Sequence, residues 1–274
     1  MSRLDQNQIP MMGLGTFGRT GKEGLEAILS GLEIGYRHLD TAQSYDTEQV
    51  VGEAVRRCGL SRDSLFITTK VAYDNLFPDR FIPSLEASRD TLQVERIDLT
   101  LVHWPRREED LPFSRYMEAL AQARDRGLTS LIGVSNFTIS HLRLAWEILG
   151  PDAIVNNQIE VHPFLQNRKV AALCADAGIL VTAYVPLAKG KVSTDPVLAE
   201  IAQRHGALPS QIALAWLLHR GIAVIPASSK RENMKSNFDA AAIKLSDEDV
   251  AEIDALDRGE RIIVPTGERA MVWD

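Results

Sequence analysis

Asp40 and Tyr45 stand five residues apart where the short apolar run Arg37–Asp40 gives way to a loop, and two later runs end in Lys70 and His103. A carboxylate, a phenol, an ammonium and an imidazole are a set that can hand a proton to a carbonyl oxygen. A phenol is a weak acid, with a reference pKa of about 10, and a neighbouring ammonium favours its phenolate. Lys70 can therefore lower the Tyr45 pKa, Asp40 can hold Lys70 charged and aimed, and His103 can hydrogen-bond and orient the substrate oxygen. Taken singly, each also has an ordinary reading: Asp40 as a helix cap, Tyr45 as a packing residue, Lys70 as a solvated charge, His103 as a core histidine. No metal site is expected, because none of the six His sits at ligand spacing with a third ligand nearby. Ser135 lacks the G-x-S-x-G setting of acyl transfer.

Bringing such residues to one place requires a particular frame. Eight short apolar runs alternate with helix-period stripes: Met11 to Thr16, Arg37 to Asp40, Leu65 to Lys70, Leu99 to His103, Leu131 to Ser135, Ile154 to Gln158, Leu180 to Tyr184, and Ala223 to Pro226. The stripes Leu25, Ile28, Leu29, Leu32 and Val170, Leu173, Cys174, Ala177 follow i, i+3, i+4, i+7 and predict core-facing helices. One helix is expected to begin near Thr47, another to stop at Gly178, and Ser246 with Asp249 reads as a capping box. Eight βα units without a dividing linker predict an α/β fold, a (β/α)8 TIM barrel as a single domain over residues 1–274. In such a barrel the strand ends share one mouth. Asp40, Lys70, His103, Ser135 with Asn136, Gln158 and Tyr184 all lie at or beside those ends. Gly13, Gly15 and Gly18 match a dinucleotide fingerprint by letter, but Arg19-Thr20-Gly21-Lys22 follows where a helix should open, which argues against an open Rossmann sheet.

The bulk properties narrow the class. With 45% hydrophobic and 24% charged residues and a net charge of -7, the chain reads as a soluble globular protein with no nucleic-acid surface. Cys58 and Cys174 lack metal spacing, and Cys174 on its apolar stripe reads as a buried thiol, which suggests a reducing compartment. The polar start of the chain does not read as a signal segment, and its longest apolar run, Ile212 to Leu218, is too short for a membrane span. A cytoplasmic monomer without membrane partners is expected.

Together the motifs resemble the aldo-keto reductases, most closely their bacterial 2,5-diketo-D-gluconate (methylglyoxal) reductase type. The residues carrying the resemblance run through nearly the whole chain: Gly13-Leu14-Gly15-Thr16-Phe17, Gly35 to Ala42 with Tyr45, Thr68-Thr69-Lys70, Leu101-Val102-His103-Trp104-Pro105, Gly133-Val134-Ser135-Asn136-Phe137, Asn157-Gln158-Ile159-Glu160 with His162-Pro163, and Ile225-Pro226. The resemblance implies NADPH-dependent reduction of small-molecule aldehydes and ketones, with Tyr45 as general acid and Asp40, Lys70 and His103 beside it. It implies that Ser135, Asn136 and Gln158 hold the nicotinamide carboxamide and that Tyr184 stacks on the ring. Further cofactor contacts are implied for Gly15, Thr16, Leu187, Ser228, Ser229, Lys230, Arg231 and Asn237, and substrate walls for Phe17 and Trp104.

The chain departs from the family at the cofactor phosphate site, where the usual lysine is Ala227 and the usual arginine is Asn233. Ser228 to Arg231 fall at an expected helix N-terminus, itself an anion site, so NADPH remains the expected cofactor. Val185 replaces a serine after the stacking tyrosine. Ala72, with Tyr73 beside it, replaces an aromatic wall, which predicts a wide mouth, a small C-terminal lid and broad acceptance of methylglyoxal, aromatic aldehydes and keto-sugars. Two other functions fit the same ring: a Schiff-base enzyme using Lys70, and a barrel that binds the nucleotide without catalysis.

Overall fold

The computed structural model describes residues 9–274; the polar segment 1–8 lies outside the described residues. Eight parallel strands pair in chain order: β1 Gly13–Gly15, β2 His38–Asp40, β3 Phe66–Val71, β4 Ile97–Val102, β5 Thr129–Ser135, β6 Asn156–Glu160, β7 Leu180–Tyr184 and β8 Ala223–Val224. Val224 N donates to Met11 O at 2.8 Å and Gly15 N to Pro226 O at 3.1 Å, which brings the last strand back to the first. The architecture is the (β/α)8 barrel expected from the alternation of runs and stripes.

All eight expected strands are present, with shifted ends. β1 and β8 are shorter than their apolar runs, and the chain is crowded where they meet: a Cβ on Gly13 would lie 2.8 Å from His38 Nδ1, and one on Gly15 2.8 Å from Ile225 O. The glycines therefore serve close strand packing, and Gly18 turns the chain at φ +74° before the first helix opens at Gly21. β3 runs one residue past Lys70 and β4 stops one before His103, whose N–H still pairs with Val71 O at 3.2 Å.

The helices are α1 Gly21–Ile34, α2 Glu48–Arg57, α3 Pro78–Leu92, α4 Phe113–Asp125, α5 Ile139–Leu149, α6 Arg168–Asp176, α7 Pro196–His205, α8 Pro209–His219, α9 Arg231–Asp239 and α10 Asp247–Asp254. Leu25, Ile28 and Leu32 of α1 and Val170 and Cys174 of α6 are buried, as their spacing requires. Burial pushes the Cys174 thiol up to about 12, so it is an inert packing group. The run Ile212 to Leu217 is buried on every side of α8.

Thr47 is the residue ahead of α2, and Ser246 opens α10 with its hydroxyl accepting from Asp249 N at 3.2 Å while Asp249 Oδ2 accepts from Ser246 N at 2.9 Å. Asp249 also meets Arg204 and His205, each at 2.8 Å, and the Arg204, Ser246 and His205 donors hold its carboxyl well below the usual range although burial opposes them. Asp249→Ala removes this whole knot, so a loss of about 1–3 kcal/mol is expected in denaturant melts.

Candidate active site

β2 and β3 lie in register, with Asp40 opposite Thr68, so Lys70 reaches across the mouth toward the β2 end. Its ammonium is 0% exposed and donates to Asp40 Oδ1 at 2.5 Å and to Thr41 O at 2.9 Å. Asp40 Oδ2 accepts from Gln158 Nε2 at 2.6 Å. Asp40 is thus a lysine partner, not a cap, and Lys70 is not solvated. Thr16 Oγ1 donates to Asp40 O at 2.9 Å and meets Thr47 Oγ1 at 3.1 Å, so its hydroxyl braces the β2 end from below.

Tyr45 closes a short 3₁₀ turn, Gln43–Tyr45. Gln43 sets that turn. Its Oε1 accepts from Ala72 N at 2.8 Å and Asn75 Nδ2 at 2.9 Å, and its Nε2 reaches Ser84 and Ser88 on α3, each at 3.1 Å. The Tyr45 ring lies with Lys70 Nζ 4.8 Å from its centroid, and its hydroxyl is 3.4 Å from His103 Nε2. His103 Nδ1 is 3.4 Å from Ser44 Oγ, and His103 O accepts from Asn136 Nδ2 at 3.0 Å.

Electrostatics correct one expectation. Burial raises the Tyr45 phenol above its ordinary value, Lys70 pulls it back down, and Asp40 pushes it up, so the net direction is upward. Burial would lower the Lys70 ammonium, but Asp40 and Tyr45 hold it above its ordinary value. His103 falls well below the ordinary histidine value because desolvation in the mouth and the charges of Lys70 and Arg269 all disfavour its protonated form. At neutral pH the cluster is therefore a protonated phenol, a charged lysine and a neutral imidazole.

The second half of the mouth carries amides. Ser135 ends β5 opposite Gln158 of β6, and Ser135 Oγ donates to Gln158 O at 2.8 Å. Asn136 takes a left-handed backbone at φ +63°, which an asparagine tolerates better than most residues, and its Oδ1 accepts from Tyr184 OH at 2.7 Å. Val185, at φ +50°, turns the chain directly after Tyr184 and leaves the tyrosine half-buried. A β-branched side chain in that region is strained, as residues beside functional sites often are. With one N–H of Gln158 committed to Asp40, its Oε1 is left as an acceptor facing the mouth.

Phe17 is 68% exposed and meets Tyr45 edge-on at 5.1 Å, so it is a wall of the mouth and not core. Trp104 is buried, its ring 6.4 Å from that of Trp273. Leu187 is half-buried beyond β7. Ser228 to Lys230 do lead into α9, where Ser228 Oγ accepts from Lys230 N at 3.1 Å. Arg231 is turned away, donating to Ser30 Oγ at 2.7 Å and pairing with Glu33 of α1 at 2.8 Å. Asn237 lies further along α9 at 5% exposure.

Comparison with known proteins places these features in a wider set. Residues 11–258 match the model of the aldo/keto reductase family. The chain is 45% identical to methylglyoxal reductase DkgB of Escherichia coli O157:H7 over 97% of this chain and 99% of that protein. It is 37% identical to an aldo-keto reductase of Mycolicibacterium smegmatis over 94% and 93%. Among solved structures, one assigned as a 2,5-diketo-D-gluconic acid reductase B superposes with a TM-score of 0.94 at 37% identity, covering 100% of this chain and 96% of that one.

Proposed function

Because the chain belongs to the aldo/keto reductase family and is thus an oxidoreductase of carbonyl compounds, we propose that it uses NADPH and takes its proton from Tyr45. The observation that carries this reading is the buried contact of Lys70 with Asp40 beneath the Tyr45 ring, beside a neutral His103. The residues at the other half of the mouth fit a nicotinamide: hydroxyl and amide groups of Ser135, Asn136 and Gln158 suit a carboxamide, and the half-buried Tyr184 offers a flat ring. When bound, the dihydronicotinamide supplies hydride to the carbonyl carbon. His103 and Tyr45 hydrogen-bond the carbonyl oxygen and orient it. As negative charge grows there, Tyr45 gives up its hydroxyl proton and Lys70, fixed by Asp40 and Thr41 O, stabilises the phenolate left behind. Burial of the pair keeps water from screening that charge. Small α-oxoaldehydes such as methylglyoxal, aromatic aldehydes and keto-sugars are the proposed substrates, and the names of the relatives support the first and last of these.

A Schiff-base role does not suit Lys70. Its ammonium is held charged and 0% exposed, whereas imine formation needs a free amine that a carbonyl can reach.

Because Tyr45 is raised, its acid form persists through neutrality. The kcat/KM of reduction is expected to stay flat from neutral pH and to fall only above the ordinary phenol value of 10.0, while alcohol oxidation, which needs the phenolate, rises with pH. A reduction profile bending down below about 8 would contradict the phenol of Tyr45 as the acid. The cofactor choice is tested by kcat/KM with the two dinucleotides. Arg231 is engaged by Glu33, so Lys230 and the α9 N-terminus are the groups left for the 2'-phosphate, and a preference for NADPH of roughly tenfold or more is expected. An equal or NADH-favouring ratio would refute it.

A further inference from the structure

Two fully buried residues at the end of β6, Glu160 and His162, have no part in the proton transfer. Glu160 Oε1 accepts from Ile262 N at 2.6 Å and faces His162 Nε2 at 3.0 Å, and Oε2 accepts from Ile263 N at 2.8 Å. An ionised carboxylate only accepts, so Nε2 is the nitrogen of His162 that carries the proton in this pair. Burial would raise the Glu160 carboxyl, but the His162, Ile262 and Ile263 donors bring it below its ordinary value.

The two amides belong to the segment 259–274, which crosses the barrel mouth as a strap. Arg261 lies 3.5 Å over the Trp273 ring and its Nη2 donates to Asn167 Oδ1 at 3.3 Å. Further on, Gly267 O accepts from Arg107 at 2.8 Å and Glu268 O from Tyr73 OH at 3.2 Å, on the loops after β4 and β3. At the end, Trp273 meets Trp104 and the Asp274 carboxylate accepts from Ile139 N at 2.9 Å at the start of α5. The strap thus supplies the outer cover of Trp104 and brings the charge of Arg269 to bear on His103. Two successive amides on the two oxygens of one carboxylate fix the register in which it docks.

We propose that Glu160, oriented by His162, is the latch that docks this strap, and so a positioning residue for the carbonyl substrate that never touches it. The proposal rests on the reductase reading for its kinetic part. A carboxylate buried without its donors is costly, so docking is strongly favoured, and losing either side of the latch frees the strap. The far half of the strap meets Tyr73, Arg107 and Trp104 on the loops after β3 and β4, so the larger effect is expected on the carbonyl and the smaller on the dinucleotide.

The experiment compares wild type, Glu160→Gln, Ile263→Pro and the double variant. It reads amide hydrogen exchange over residues 262–263 and, separately, KM for phenylglyoxal and Kd for NADPH. Both single variants are expected to speed exchange of the remaining latch amides by roughly tenfold or more and to raise the phenylglyoxal KM by a similar factor, with NADPH Kd within about twofold. The double variant is expected to be no worse than the worse single one, because both cut the same contact. Unchanged exchange, faster exchange without a KM effect, or fully additive KM effects would overturn the latch. Should Glu160→Gln fail to fold, Ile263→Pro alone decides by the same two readouts. A wild type that turns over no carbonyl overturns the reductase reading and the substrate-positioning role together, whereas the exchange data still decide whether Glu160 docks the strap.

Discussion

Tyr45→Phe is expected to lower kcat for carbonyl reduction by roughly 100- to 10,000-fold, the range seen when a positioned general acid is removed. Its neighbours cannot take over. His103 is neutral, and Lys70 is 0% exposed and held charged by Asp40, to which it donates along with Thr41 O. The substitution deletes one oxygen, which lies 3.4 Å from His103 and interacts with Lys70, and it keeps the ring that packs against Phe17 and over Lys70. The barrel should therefore melt within about 1 kcal/mol of wild type and bind NADPH as before. Steady-state kinetics beside a cofactor fluorescence titration check both halves. Unchanged turnover would mean that another group supplies the proton.

The second large effect concerns the ion pair beneath the tyrosine. Lys70→Met leaves the Asp40 carboxylate, 2% exposed, with Gln158 as its remaining side-chain donor among the described residues. Breaking a buried pair from one side costs about 3–5 kcal/mol, because the surviving charge has neither partner nor water. The melting temperature should drop by about 6–20 °C for a chain of this size. Activity should fall as well, since the phenolate formed at Tyr45 loses its counter-charge. The double variant Lys70→Met with Asp40→Leu separates the two effects: it is expected to regain much of the stability and none of the activity. Calorimetry and kcat on the three variants read this out. A Lys70→Met protein as stable as wild type would contradict the paired, buried geometry.

The sequence made the frame legible because each strand is an apolar run and each helix a stripe of fixed period. The same reading located the mouth, since Asp40, Lys70, His103, Ser135 and Gln158 sit at or next to strand ends. Other features have no local signature. Gln43 looks like any loop glutamine, because its partners lie 29 to 45 residues away. Glu160 stands in a legible motif, yet its donors Ile262 and Ile263 are more than 100 residues further on. The net direction of the Tyr45 shift has no local signature for a related reason. Charge type predicts the pull of Lys70, but the depth of burial that outweighs it emerges only when Phe17, His103 and the β2 and β3 ends close around the ring. Arg231 is similar: its type suggests a phosphate ligand, while α1 brings Glu33 within reach of it.

The most direct measurement is NADPH oxidation by the purified chain with methylglyoxal, run beside Tyr45→Phe under the same conditions. A carbonyl reductase with Tyr45 as its acid consumes one NADPH for each alcohol formed, and the variant loses at least about 100-fold of that rate. No NADPH oxidation by the wild type with methylglyoxal, aromatic aldehydes or keto-sugars, or equal rates for the two proteins, would contradict it.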